Sequence, residues 1–352
     1  MEVKFMSIRK KAREEIIDKI LTEIWEDPSQ FSVSEIAKKE NLTEQSIYRY
    51  LNDLEAQGVI KKSKKGRKNT YSFIGKTTAR TYKLNGLSED SVWRTFAAPF
   101  FSDLPSVPLK NLNYAFTEIL NNAIDHSDGE EVAIFLMKNG FIAQAFISDD
   151  GVGIFTKIST AMNLEEKNFA ILELAKGKFT TEPRSHTGEG IFFSSKVVDR
   201  FAIFSENLVF LGSTPTHESL IDNIEPTTSN ARGTVVYMEI KYSHTETSKD
   251  VFDKFTQAPE DYGFSKTIVP VRLLEYGDPT PLVISRSQAK RLMMRFERFQ
   301  NIVLDFSGIE EIGQGFADEL FRVFPSQHPG TLLTPINCND SVAKMISRVR
   351  VE

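Results

Sequence analysis

Asn111 to His126 reads NLNYAFTEILNNAIDH, and this stretch decides the fold at the centre of the chain. Leu112, Ala115, Phe116, Ile119, Leu120, Ala123 and Ile124 recur at three- and four-residue spacing, which predicts a helix with one face to bury. Glu118 and Asn122 stand four residues apart, so they share a face that borders the apolar stripe. A carboxylate beside a carboxamide suits one job well: the carboxylate orients a water, and the amide oxygen helps to hold Mg²⁺, which prefers oxygen ligands.

Outward from this helix the chain reads as an α/β region that begins near Leu87. EVAIFLM and FIAQAFIS are strand-like, and Lys138-Asn139-Gly140 joins them with a strong hairpin signal. Asp149-Asp150-Gly151-Val152-Gly153 closes the second strand. An Asp there can accept a hydrogen bond from an exocyclic amine, and the glycines let the backbone approach a ligand. A helix around Leu164 to Lys176 is followed by His186-Thr187-Gly188-Glu189-Gly190, immediately before another helix from Ile191. Backbone N–H groups of a glycine turn at a helix N-terminus suit phosphate. Strand-like AIFSENLVFLG, a long polar loop from Ser213 to Arg232, and a strand from Gly233 to Ile240 complete the region.

Taken in this order, the three motifs resemble the GHKL superfamily of ATPases, which includes gyrase-type topoisomerases, heat-shock chaperones, histidine kinases and mismatch-repair ATPases. The resemblance covers Leu87 to Tyr242. It implies a Bergerat-type α/β sandwich that takes ATP and Mg²⁺ under a mobile lid formed by Lys176 to Thr187. It assigns Asn122 to the metal, Asp149 to the adenine amino group, Gly151 and Gly153 to the base pocket, and Thr187, Gly188 and Gly190 to the phosphates. Glu118 stands where hydrolysing members keep a general base and many histidine kinases have Asn. The first histidine of the chain, His126, lies inside the motif helix, so conventional histidine kinase activity is disfavoured. The lysine that gyrase-like enzymes draw from a following domain has no identified counterpart.

Before this region come a helix from residue 8 to 27, a short helix in SVSEIAKKE, and TEQSIYRYLNDLEAQG, which Thr43 caps and Gly58 stops. Two short strands, Val59 to Lys62 and Thr70 to Ile74, flank a basic loop, SKKGRKN. This order resembles winged helix-turn-helix DNA-binding domains. The resemblance implies that Glu44, Gln45, Ser46 and Arg49 face the major groove, and that Lys61, Lys62, Lys64, Lys65, Arg67 and Lys68 meet phosphate from the wing. The competing reading is a protein-docking module with a solvated charge run.

Beyond Tyr262, strand-like IVPVRLL, the cationic helix SQAKRLMMRFERF, the strand NIVLDFSG and the helix GFADELFRVF repeat a strand–helix pattern that ends near Val349. NIVLDFSGIEEIGQGFADELF resembles a STAS-like family related to the anti-sigma-factor antagonists. Gln314 occupies the place of the serine that phosphorylatable antagonists carry, so phosphorylation at that place in cis is not expected. Asp305 and Ser307 also read simply as a turn cap.

The 352 residues carry 40% hydrophobic and 26% charged side chains, which excludes a disordered or low-complexity chain. The net charge of −5 argues against a protein coated in nucleic acid, yet Ile60 to Lys68 holds six cations and no acid. A lone Cys338 permits no internal disulfide, and the charged N-terminus and lack of a long apolar run point to the cytoplasm without membrane anchorage. The expectation is a multidomain α+β chain: a winged helix-turn-helix over 1–75, a GHKL ATP-binding domain over 76–245 and a STAS-like domain over 246–352. Its expected function is that of an ATP-binding, ATP-hydrolysing, DNA-binding regulator in which nucleotide state controls domain arrangement, with double-stranded DNA as partner, and a protein partner on the STAS-like domain and a homo-oligomer left open. The alternatives are an anti-sigma-type protein serine kinase acting in trans and an ATP-binding scaffold without turnover.

Overall fold

The computed structural model describes residues 2–66, 68–178, 188–212, 232–256, 264–275, 283 and 285–351. The chain opens with α1 (Glu2–Glu26), α2 (Val33–Lys39) and α3 (Glu44–Ala56). Ile20, Leu21 and Ile24 of α1, Ile36 of α2, and Ile47, Leu51 and Leu54 of α3 bury into one core. The Thr43 hydroxyl caps α3 by accepting the Ser46 N–H at 3.2 Å. The strands that follow, β1 (Ile60–Lys65) and β2 (Lys68–Phe73), are longer than the sequence suggested and pair antiparallel. Most of the expected basic loop is therefore strand, with Lys62 opposite Tyr71 and Lys64 opposite Asn69. Lysine's weak strand preference hid this ladder.

A six-stranded sheet follows, built from β3 (Lys76–Lys83), β4 (Glu131–Lys138), β5 (Ile142–Asp149), β6 (Arg200–Ser205), β7 (Leu208–Leu211) and β8 (Val235–Lys241). Its order is β3-β4-β5-β8-β6-β7, and every pairing is antiparallel. On β4, Val132, Ile134 and Leu136 are buried whereas Phe135 is 40% exposed, so helices cover one face of that strand. Those helices are α4 (Glu89–Val92), α5 (Ala98–Phe100), α6 (Ser106–His126), α7 (Ile154–Met162), α8 (Phe169–Lys176) and α9 (Gly190–Val197). Two expectations change. β3 lies before Leu87, in KTTARTYK, an exposed edge strand with no apolar alternation to reveal it. The helix expected over Leu164 to Lys176 starts at Phe169, and α7 occupies the preceding stretch directly after Gly153.

The C-terminal unit comprises α10 (Ser248–Lys254), β9 (Lys266–Pro270), α11 (Arg286–Met293), β10 (Asn301–Asp305), α12 (Gln314–Asp318), α13 (Phe324–Gln327), β11 (Leu332–Ile336) and α14 (Asp340–Val351). Its three strands run parallel in the order β11-β10-β9. β11 and α14 extend the strand–helix alternation read from the sequence. Thr187, Arg67, the side chain of Lys65, the expected lid beyond Lys178 and nearly all of the expected polar loop lie outside the described residues.

The N-terminal unit joins the sheet through a shared apolar core. Phe141 and Ile142, at the β4–β5 turn, are buried among the residues of the helical core. Phe141 stacks on Phe73 with ring centroids 5.5 Å apart, and Trp25 meets Phe73 edge-on at 5.7 Å. Lys241, the last residue of β8, and Ser243, just past it, reach Asp18 of α1 at 3.7 and 2.6 Å. Truncating Phe141 opens a cavity on both sides of this joint. Phe141→Ala is expected to cost about 3–5 kcal/mol in denaturant unfolding and to speed amide exchange in α1 and β2 more than in β6.

Candidate functional site

A single cavity lies between α6, α7, the end of α8 and the start of α9, with the sheet as its floor. Ile147, Ile203 and Val236 supply the floor, and Ile119 and Ile158 the apolar sides. These walls suit an apolar group of a ligand. Asp149, at the end of β5, sets one polar point in it. Its Oδ1 accepts the Gly151 N–H at 2.9 Å and the Thr234 N–H at 3.3 Å, which fixes the carboxyl and leaves Oδ2 for a ligand. Burial pushes the Asp149 pKa up against the pull of these backbone donors, so the carboxylate pays for its place unless a donor meets it.

Glu118, Asn121 and Asn122 line the opposite side from α6. The Asn122 Nδ2 is buried and has no hydrogen-bond partner among the described residues. An orphaned amide in a cavity costs about 1–3 kcal/mol, which a ligand or water recovers. Gly188, Gly190 and Ile191 bring the start of α9 to the same cavity, where the first N–H groups of the helix lack intrahelical partners. A Cβ at Gly190 would lie 2.2 Å from Glu118 Oε2, so a larger residue there would push the Glu118 carboxylate aside. Among the described residues no cluster of three or more His, Cys, Asp and Glu side chains could hold a metal. A cation held here would use the Asn122 amide oxygen and oxygens of the ligand, a donor set that suits Mg²⁺.

Of the residues singled out in the sequence, Glu118, Asn122, Asp149, Gly153, Gly188 and Gly190 meet in this cavity. Gly151 does not line it. A Cβ there would fall 2.0 Å from the Ser127 carbonyl, so its role is to seat the loop on the end of α6. Asp150 also turns away, accepting the Glu130 and Glu131 N–H groups at 2.8 and 3.0 Å. Lys157 and Thr234 line the cavity without having been expected. Lys157 pairs with Asp128 at 2.6 Å, and the Thr234 hydroxyl accepts the Ile154 N–H at 3.0 Å, fixing the start of α7. Nothing in their spacing marks either residue, although Gly-Thr before a strand is a weak local cue.

A second surface lies on the N-terminal unit. Glu44, Gln45 and Arg49 of α3 are exposed, while the Ser46 hydroxyl is engaged with Thr43 Oγ1 at 2.9 Å. Lys61, Lys62, Lys64 and Lys68 are exposed, but strand alternation divides them: Lys62 and Lys64 share the face of buried Ile60, and Lys61 lies on the other, as does Lys68 through its pairing with Lys65. Lys62 also has an acid nearby, since its N–H donates to Glu55 Oε1 at 3.1 Å.

The model of a winged helix-turn-helix DNA-binding family matches residues 13–61. The model of a STAS-like domain of unknown function (DUF4325) matches residues 288–343. The chain thus carries a winged helix-turn-helix at its N-terminal end and a STAS-like domain at its C-terminal end, and the former supports a DNA-binding regulator. No curated protein matches the chain. No helix among the described residues is long and apolar enough to cross a membrane.

Asp149 gives this site a measurable cost. A carboxyl whose pKa is raised in the folded state contributes stability that is full below its unfolded pKa and lost as pH rises through the folded one, so at neutral pH it weakens the ligand-free fold. Asp149→Asn keeps an oxygen for Gly151 and Thr234 and removes the charge. The expected outcome is an unchanged or higher thermal midpoint near neutral pH without ligand; a fall in the midpoint would show that the carboxylate is structural.

Proposed function

We propose that this protein is an ATP-binding and ATP-hydrolysing DNA-binding regulator in which nucleotide state controls domain arrangement. The observation that carries the reading is the convergence of three separated segments, around Glu118–Asn122, Asp149–Gly153 and Gly188–Gly190, on one cavity with an apolar slot and a fixed carboxylate. The resemblance of the same segments to the GHKL ATPases agrees with it. Adenine lies in the slot between Ile147, Ile158 and Val236, with its amino group donating to Asp149. The phosphates lie towards the N–H groups at the start of α9. Asn122 would hold Mg²⁺ through its amide oxygen, and the ion would supply positive charge against the phosphates. Glu118, one helical turn before Asn122, orients a water towards the terminal phosphate and takes its proton. On the N-terminal unit, α3 enters the major groove and the wing lysines meet phosphate.

The test is ATP binding and turnover by the full chain with and without duplex DNA. Asn122→Ala should weaken Mg·ATP binding about tenfold or more, whereas Glu118→Ala should bind ATP normally and lose about 10²-fold or more in turnover. Undiminished phosphate release from the Glu118 variant would remove it from the chemistry.

The DNA half has its own readout. Replacing Lys61, Lys62, Lys64 and Lys68 with Gln should weaken binding to every duplex alike and reduce the slope of log K against log salt by about 0.9 for each lost phosphate contact. Arg49→Ala should instead change the preference between sequences. An unaltered slope in the four-Gln variant would favour protein docking over DNA.

A further inference from the structure

We propose that Arg295 of the C-terminal unit is a positioning residue for the cavity, holding the wall at Leu174 and Gly177 through a reciprocal cap between the ends of α8 and α11. As a regulator of nucleotide binding, this seam rests on the reading of the cavity given above. Leu174 and Gly177 both line the cavity. α8 ends at Lys176 and α11 at Met293, and each end presents carbonyls without helical partners and the negative pole of its dipole.

Two such ends facing each other would repel, and the chain answers with one cation from each side. Lys176 Nζ donates to Met294 O at 2.9 Å and to Arg291 O at 3.4 Å, capping α11. Arg295 donates from Nη2 to Gly177 O at 2.9 Å and to Lys178 O, capping α8. Glu173 sits between them, accepting from Lys176 at 2.5 Å and from Arg295 at 3.1 Å. Two cations, one carboxylate and two helix ends of about half a negative charge each sum close to zero, which is what lets the group sit out of water. The side chains of Lys176, Glu173 and Arg295 are 0%, 2% and 9% exposed.

The grip on the wall is continuous. Thr267 Oγ1 of β9 donates to Lys176 O at 2.8 Å, so three successive carbonyls, those of Lys176, Gly177 and Lys178, each accept a bond from the C-terminal unit. Phe264, just before β9, packs on Phe192 of the cavity lining with centroids 4.5 Å apart. A Cβ at Gly177 would strike both rings, at 2.8 and 2.9 Å. Burial pushes the Lys176 pKa down to about 8, and Glu173 beside it opposes that shift. A ligand touching Leu174 or Gly177 therefore acts on the C-terminal unit, and a partner bound to that unit acts on the cavity by the same coupling.

The test uses the full chain carrying Arg295→Met, Arg295→Lys, the milder Thr267→Val, and Arg322→Met as a control. Arg322 pairs with Asp318 in the same unit but away from α8. Arg295→Met should raise amide exchange across Leu174 to Lys178 and weaken Mg·ATP binding, each by about tenfold. Arg295→Lys and Thr267→Val should fall between it and the parent, and Arg322→Met should do neither. Parent-like exchange and affinity in Arg295→Met and Thr267→Val overturn the proposal, as does an equal effect of Arg322→Met. Should Arg295→Met fail to fold, Arg295→Lys and Thr267→Val decide the matter by the same two readouts. If the parent binds no Mg·ATP, the nucleotide reading fails and the ligand half of this proposal with it, while exchange across Leu174 to Lys178 still decides whether Arg295 holds the wall.

Discussion

Helix α6 has one apolar stripe and one sheet to bury it against, and that fit fixes its rotation. Leu112, Ala115, Phe116, Ile119, Leu120 and Ala123 are buried together. Turning the helix by one residue, about 100°, would expose several of them at about 1.5–3 kcal/mol for each large side chain. With the rotation set, Glu118 and Asn122 have one direction left, into the gap between α6 and the start of α9. The apolar stripe, rather than their own polarity, sets that direction.

The opposite wall depends on a strand inserted out of sequence order. β8 lies between β5 and β6, which brings Thr234 beside Asp149 although the two are far apart in the chain. Asp149 is thereby held by two N–H groups in a place where a charge is costly. Asn122 carries a buried amide with no described partner. Both features reduce the stability of the ligand-free fold. Proteins retain such conflicts chiefly where function requires them.

What the sequence disclosed divides along physical lines. The stripe of α6, the Asn139-Gly140 hairpin and the Thr43 cap were legible because each is written in adjacent residues. β3 was hidden because an exposed edge strand has no face to bury, and the wing strands because lysines disguise them as loop. Lys157 and Thr234 could not be found by spacing, since sheet order rather than chain distance brings them to the cavity. Glycines at 151 and 153 look alike in sequence, but only the second lines the cavity, the first being pressed against Ser127. Lys176 reads as a surface residue ending a helix, and only the packing of α11 against α8 makes it a buried cap.

Both joints between units combine apolar packing with polar bonds, in different proportions. The N-terminal joint, made by Phe73, Phe141 and Ile142 with bonds from Lys241 and Ser243 to Asp18 at its edge, is continuous with the helical core. Its apolar part depends on area and little on direction. The C-terminal joint shares one apolar core with the sheet, through Phe192 and Phe264 among others, and adds charge-assisted bonds to carbonyls, whose strength depends on direction. Those from Arg295 fall on the carbonyls of Gly177 and Lys178, next to Leu174 and Gly177 of the cavity lining, so the proposed coupling between cavity and C-terminal unit rests on the directional part of this joint and not on its apolar part.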